Sequence, residues 1–146
     1  MEIKWVDTHC HLQLLNKNLD ENHFKNIEFL VIPGVDVESS SKAKEISSSL
    51  EVESYWSAGL HPHDAKLLDT QRHDLEKLFV EADLIGETGL DFYRNLSTKE
   101  EQRENFLFHL EFSKQLNKPI IIHCRDSFQD TYDLLVEFNN LSLIHI

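Results

Sequence analysis

One arrangement recurs along this 146-residue chain: a short apolar run stops at a histidine, a glutamate or a Pro-Gly turn. Successive stops lie 22 to 36 residues apart, about the length of one strand followed by one helix. Runs too apolar to face water, alternating with amphipathic helices, indicate a parallel sheet covered by helices. The runs stop at His11, Pro33, His61, Glu87, His123 and His145.

The residue types at these stops decide between two kinds of parallel sheet. Five of the six stops carry a histidine or a glutamate. In a (β/α) barrel all these strand ends open onto one face, whereas a doubly wound sheet would spread them along an edge. The sequence therefore predicts an α/β fold, a TIM-like (β/α) barrel covering about strands one to six, in a single domain over residues 1–146.

The same patterns predict the individual elements. Apolar runs predict strands over residues 3–6, 29–32, 55–58, 84–85, 120–122 and 141–146, the first continuing to His11. Helical spacing predicts helices over residues 23–27, 37–50, 70–82, 99–116 and 128–138. Asp69 or Thr70 is the expected cap of the third helix. Ser97 or Thr98, with a glutamate behind it, predicts a capping box for the fourth.

Two histidines separated by one residue end the first run. Side chains alternate between the faces of a strand, so His9 and His11 lie on one face, about 6–7 Å apart, and Cys10 lies on the other. Two imidazoles so placed can bind one divalent cation. Solvated or hydrogen-bonded histidines are the alternative for this motif alone, but the histidines and the glutamate at later strand ends favour a metal site.

The strand ends together offer a nitrogen-rich ligand set that includes a carboxylate. Such a set suits zinc, manganese, iron or nickel better than calcium. A carboxylate can bridge two metal ions, and two-metal sites catalyse displacement at phosphorus with a metal-activated water. Glu87, between two glycines, could instead be a turn residue. The candidate metal ligands are His9, His11, Glu87, His123 and His145.

Three further residues at the same rim are candidates for binding a phosphate: His61, His63 and Arg125. Arginine can bind a phosphate through two parallel hydrogen bonds. The alternatives are rim histidines without a ligand and, for Arg125, an ion pair with Asp91 or Asp126.

Composition limits the remaining possibilities. A net charge of −12 disfavours bulk electrostatic binding to nucleic acid or anionic membrane, although a bound cation could reverse the potential locally. No apolar stretch approaches the ~20 residues of a membrane span, and the start does not resemble a signal peptide. Two cysteines give no disulfide framework, so we expect a cytoplasmic protein.

Four segments carry a more specific signal: residues 7–12 (DTHCHL), 59–63 (GLHPH), 85–92 (IGETGLDF) and 122–126 (IHCRD). In this order they resemble the signatures of the TatD family of metal-dependent deoxyribonucleases. Residues 102–106, with Leu116 and Pro119, are similar to that family's connecting helix. The resemblance covers essentially the whole chain.

The resemblance implies a metal-dependent hydrolase with a TIM-like barrel that cleaves phosphodiester bonds of DNA. It implies that His9 and His11 bind one metal ion, that Glu87 bridges and is the catalytic carboxylate, and that His123 and His145 bind the second. The expected cofactors are two divalent ions, Zn, Mg or Mn. The family's aspartate on strand eight has no counterpart here. We therefore expect an incomplete barrel that self-associates through its open edges.

Two other functions are compatible with the residues. His-x-His on a first strand is shared across a wider group of amidohydrolase-like enzymes, which act on C–N or ester bonds. A fragment that binds metal without turnover is the non-enzymatic alternative.

Overall fold

The structure, a computed structural model, describes residues 3–15, 21–138 and 143–145, and for residues 137 and 143–145 it describes the backbone alone. Six strands form one sheet whose neighbours run parallel in chain order. With a helix after each strand from the second to the fifth, this is the arrangement of a TIM-like (β/α) barrel, as predicted. The strands are β1 (Trp5–Asp7), β2 (Ile27–Pro33), β3 (Glu53–Ala58), β4 (Leu84–Asp91), β5 (Ile120–Arg125) and β6 (Leu143–His145), and the helices are α1 (Val37–Ser49), α2 (Leu68–Glu81), α3 (Lys99–Leu116) and α4 (Phe128–Glu137).

The two faces of this sheet are packed differently. The outer face packs against the helices in the main hydrophobic core, where Leu30 and Ile122 are almost fully buried. The inner face carries a smaller apolar cluster of Val31, Leu84 and Ile121. Val31 and Leu84 also line an open hollow of about 400 Å³. Towards the carboxyl ends of the strands the inner face becomes polar, and the candidate site lies there.

Helix α3 begins and ends where the sequence predicts. Thr98 Oγ1 accepts a hydrogen bond from the Glu101 N–H (3.2 Å), and Glu101 Oε2 accepts one from the Thr98 N–H (2.7 Å). This is a complete capping box. The helix stops at Leu116 because Asn117 adopts the left-handed conformation, with φ of 51°.

Strand lengths differ from the prediction. β4 and β5 extend beyond residues 85 and 122, because their backbones pair again from Thr88 and Ile122 to Asp91 and Arg125. β1 is shorter than predicted, and its side chains are exposed. The expectation that every strand is shielded from water is therefore wrong for β1, which within the described residues pairs on one side only, with β2.

Two predicted helix starts are also wrong. Residues 23–27 do not form a helix, because the 3₁₀ turn over Glu21–Phe24 is followed by two turn residues and then by β2 from Ile27. Asp69 and Thr70 do not cap α2, since the 3₁₀ turn Pro62–Leu67 runs straight into it and Thr70 Oγ1 donates back to the Leu67 carbonyl (2.8 Å). Within the described ranges, no helix has both the length and the apolar character needed to cross a membrane.

Candidate metal centre

The first group of converging side chains combines both histidines of the first strand end with Glu87. The His9 and His11 Nε2 atoms lie 3.0 Å apart, and they lie 3.3 and 3.4 Å from Glu87 Oε2. Both histidines follow β1, but the segment stays alongside β2, since the Cys10 N–H donates to the Val31 carbonyl (3.0 Å). The alternation expected of a strand therefore holds beyond its last residue.

The second group joins the other oxygen of the same carboxylate to two more strand ends. His123 Nδ1 lies 3.1 Å from Glu87 Oε1, and His61 Nε2 lies 3.2 Å from His123 Nδ1 and 3.9 Å from Glu87 Oε1. Either group could hold a metal ion. Glu87 is common to both, with one oxygen facing each.

Two glycines of β4 explain how the strand places Glu87 between the two groups of histidines. A Cβ on Gly86 would collide with the Ile121 carbonyl, and one on Gly89 with the His123 carbonyl. Their φ angles of 117° and 138° also favour glycine. β4 therefore approaches β5 closely, with a shift of pairing register in this stretch. Glu87 lies within β4 and is not a turn residue, and its N–H donates to the carbonyl of Gly34, just beyond β2 (2.8 Å).

The electrostatics of the centre keep Glu87 ionised. Burial by itself would raise the pKa of this carboxyl, but hydrogen bonds with His11, His123 and His9 outweigh it and hold the pKa well below its usual range. Burial lowers the pKa of His61 to about 4, against the opposing attraction of Glu87. The pKa of His123 is raised: burial opposes its charged form, but Glu87 and Asp91 favour that form more strongly.

This geometry fits a bound cation. His11 Nδ1 faces the Pro33 carbonyl at 3.0 Å, so in the neutral ring Nδ1 donates and Nε2 has a free lone pair. That lone pair faces both His9 Nε2 and a carboxylate oxygen of Glu87. A cation placed between these atoms would be coordinated by the ring nitrogens and the carboxylate, and imidazole with carboxylate is a donor set for divalent transition metals.

The sequence reasoning did not assign Asp91 to the site. This residue is fully buried, and its Oδ2 accepts hydrogen bonds from His63 Nε2 (2.8 Å) and His123 Nε2 (3.0 Å). Burial would raise its pKa, but the Arg94 N–H and the two imidazoles hold the pKa below its ordinary value. Its contact orients the His123 ring, so that Nδ1 faces Glu87. The signal was present, because Glu87, Gly89 and Asp91 alternate along one strand.

Three buried polar residues of α3 form hydrogen bonds with the backbone near the carboxyl ends of β3 and β4. Gln102 Oε1 accepts from the Asp91 N–H (2.7 Å), and its Nε2 donates to the Asp91 carbonyl (3.0 Å). Asn105 donates to the Leu60 carbonyl (2.7 Å), and His109 Nε2 accepts from the Leu60 N–H (3.0 Å). These contacts position the backbone immediately before His61 and at Asp91.

The structure thus brings together His9, His11, Glu87 and His123, and adds His61, which the sequence had grouped with the phosphate-binding residues. His63 lies against Asp91. The Arg125 guanidinium lies over the ring of Tyr93, 3.9 Å from its centre, and within the described residues it forms no ion pair with Asp91 or Asp126.

Several predictions remain untested, including metal binding by His9, His11, Glu87 and His123. The side chain of His145 lies outside the described residues, although its backbone in β6 pairs with Ile122. Binding of phosphate by His61, His63 and Arg125 is not tested by these contacts. Self-association through open strand edges also stays a prediction, and the exposed Trp5 (64%) of β1 is compatible with it.

Comparisons with known proteins place these residues in context. A family model described as TatD related DNase matches residues 6–146. An "Uncharacterized metal-dependent hydrolase" from Buchnera aphidicola subsp. Baizongia pistaciae is 32% identical over 156 residues, with 97% of this chain and 57% of that protein covered. The "3'-5' ssDNA/RNA exonuclease TatD" of Escherichia coli K12 is 36% identical over 110 residues, with 73% of this chain and 42% of that protein covered.

Solved structures show the same fold. The crystal structure of YJJV, a TatD homologue from Escherichia coli, superposes with a TM-score of 0.83 at 20% identity, covering 94% of this chain and 57% of that one. A TatD family hydrolase from Entamoeba histolytica gives a TM-score of 0.77 at 18% identity, covering 94% and 55%. The chain spans about half the length of the curated relatives it matches.

Proposed function

Because this chain belongs to the TatD-related DNase family, we propose that its strand-end histidines and Glu87 bind two divalent metal ions and that the site hydrolyses phosphodiester bonds of DNA. The observation that carries this proposal is the division of one carboxylate between two groups of histidines. Glu87 Oε2 faces His9 and His11, while Oε1 faces His61 and His123. A carboxylate with histidines on both sides is suited to bridging two cations.

The protein groups have separate parts in this reaction. When bound, the metal ions supply a water of lowered pKa and neutralise charge on the phosphoryl oxygens. His9 and His11 would hold one ion, and His61 and His123, with His145 as predicted from the sequence, the other. Asp91 keeps the His123 ring oriented towards Glu87 through its hydrogen bond to Nε2.

The choice of a phosphodiester substrate rests on two supports. One relative carries the name of an ssDNA/RNA exonuclease, and the matching family model is described as a DNase. His63 and Arg125 lie beside the proposed metal ligands and would bind a substrate phosphate. We propose zinc, manganese or magnesium as the ions.

The test replaces Glu87 by glutamine, with Glu111→Gln, an exposed change on α3, as the control. We expect Glu87→Gln to lose most of its bound metal, measured by plasma emission, because the amide carries no charge to hold two cations. Hydrolysis of bis-p-nitrophenyl phosphate and of a labelled oligonucleotide should fall at least about a hundredfold. Glu111→Gln should retain both properties.

Two results would contradict the proposal. Unchanged metal content in Glu87→Gln would remove the bridging role. Turnover of amide or carboxylic ester substrates by the metal-loaded protein, without cleavage of either phosphodiester, would favour an amidohydrolase activity instead.

A further inference from the structure

Tyr93 presents an aromatic ring to solvent immediately beside the candidate metal centre. It follows Asp91 by two residues, and 60% of it is exposed. The Arg125 guanidinium lies 3.9 Å from the ring centre. Among the described residues this ring joins no apolar core and stacks with the planar guanidinium alone, so it offers a surface on which another flat group can stack.

Backbone hydrogen bonds tie Tyr93 and Arg125 to Asp91, the residue that contacts His123. The N–H groups of Tyr93 and Arg94 donate to Asp91 Oδ1 (3.0 and 2.9 Å), while Oδ2 of that carboxylate contacts His123. Arg125 is paired with Asp91 across β4 and β5, and its carbonyl accepts from the Phe92 N–H (2.9 Å). A group bound on Tyr93 would therefore sit at a defined position relative to Glu87 and His123.

A second cation lies over an aromatic ring in the same segment. Lys99 Nζ lies 4.0 Å from the ring centre of Phe92, the residue before Tyr93. Each of the two rings after β4 thus lies against a cation, Phe92 against Lys99 of α3 and Tyr93 against Arg125 of β5, in a chain whose net charge is −12. Aromatic side chains interleaved with basic ones are how proteins bind single-stranded nucleic acid: bases stack on the rings, and the cations follow the phosphates.

We propose that Tyr93 and Arg125 form a base-stacking subsite, in which Tyr93 stacks on an unpaired nucleobase and Arg125 binds the phosphate next to it. This inference rests on the proposed function, because it assigns one nucleotide of that substrate to a place beside the metal centre. Bases within a duplex are already stacked on each other, so the subsite selects nucleotides that are unpaired.

The test measures binding without catalysis. Fluorescence anisotropy of a labelled thymidine oligonucleotide is recorded at low salt in the presence of a chelator, so that no hydrolysis occurs. An oligonucleotide of abasic sites provides the same phosphates without bases. The variants are Tyr93→Ala, Tyr93→Phe and, as the matched control, Tyr132→Ala, which removes an equally accessible tyrosine of α4 (54% exposed).

We expect Tyr93→Ala to bind the thymidine oligonucleotide about tenfold more weakly. Its affinity for the abasic oligonucleotide should not change. Tyr93→Phe should stay within about twofold of the parent chain, because stacking needs the ring and not the hydroxyl. Tyr132→Ala should also match the parent. In addition, photocrosslinking with an oligonucleotide containing 5-iododeoxyuridine should map to Tyr93 by mass spectrometry.

Equal weakening of the abasic and thymidine oligonucleotides by Tyr93→Ala would overturn the subsite, and so would an unchanged affinity for both or a crosslink that maps elsewhere. Because these measurements are made without metal, failure of the subsite is distinguishable from failure of the proposed hydrolysis, which the Glu87 variant tests separately.

Discussion

The two faces of the same sheet are made for different tasks. On the outer face, Ile120 and Ile122 are 0% and 1% exposed and belong to a core that also includes the helices. On the inner face, Ile121 belongs to a cluster with only two other buried residues, and Tyr55 remains 36% exposed. Above this cluster the inner face carries Glu87 and the histidines. The outer face therefore supplies most of the stability of the fold. The inner face carries charged groups that this stability does not require.

The separation between the faces is not complete. Gln102, Asn105 and His109 are fully buried on the outer side, within otherwise apolar packing. Each forms hydrogen bonds to the backbone at the end of β3 or β4, either at Leu60 or at Asp91. The outer face therefore also determines where the inner site residues stand. This contact between the faces is the part of the comparison that experiments can sharpen most.

The largest expected effect is on the free energy of unfolding. It is tested on two neighbouring isoleucines that point to opposite faces of the sheet. Ile122→Ala should lower the free energy of unfolding by about 4 kcal/mol, because it leaves a cavity in a tightly packed core. Ile121→Ala should cost about 2 kcal/mol, since its cluster is small and adjoins an open hollow. Urea denaturation of both variants measures this. Equal losses of stability would show that the two faces contribute equally to the stability of the fold.

The next effect is a pH dependence of stability that originates from His109 on the outer side of the sheet. Burial lowers the pKa of His109 from 6.5 to about 4, and its Nε2 must stay unprotonated to accept the Leu60 N–H. Between these pH values the unfolded chain binds a proton that the folded chain does not. The stabilisation is therefore present above pH 6.5 and is lost as the pH falls towards 4, by about 3 kcal/mol.

The measurement for His109 is a series of unfolding curves from pH 7 to 4 for the parent chain and for His109→Gln, which does not titrate. We expect the difference in stability between the two chains to shrink as the pH falls. A difference that is independent of pH would show that His109 is not held neutral by its surroundings.

The smallest expected effect is on metal affinity, and it concerns Asp91, the residue of the inner face that the sequence did not assign to the site. Asp91→Asn keeps the shape but removes the charge that orients His123, and we expect metal affinity to fall about 10- to 100-fold. Competition with a chelator measures this, with Asp130→Asn, an exposed change on α4, as control. Unaltered affinity in Asp91→Asn would mean that the His123 ring does not depend on this carboxylate.

Much of this molecule was readable from the sequence, because the relevant signals are local. Apolar runs separated by helical segments predicted the parallel order of strands, and the period of two placed His9 and His11 on one face. The capping box, predicted at Ser97 or Thr98, and the stop at Leu116 depend on residues close in sequence, and the structure confirms both, with Thr98 as the cap. The exposure of β1 was not predictable, since it depends on which elements pack beside that strand.

Which residues meet across strands was decided only by the tertiary structure. His61 and His123 are distant in sequence, and they meet at Glu87 because neighbouring parallel strands bring their carboxyl ends to the same edge of the sheet. The pairing of β4 with β5 shifts register between Ile85 and Thr88, where Gly86 lets the two backbones approach closely. No apolar or helical period in the sequence encodes that contact. The sequence by itself determined the kinds of candidate ligand and the face they occupy. Their grouping around one carboxylate, with Asp91 behind His123, follows from non-local packing.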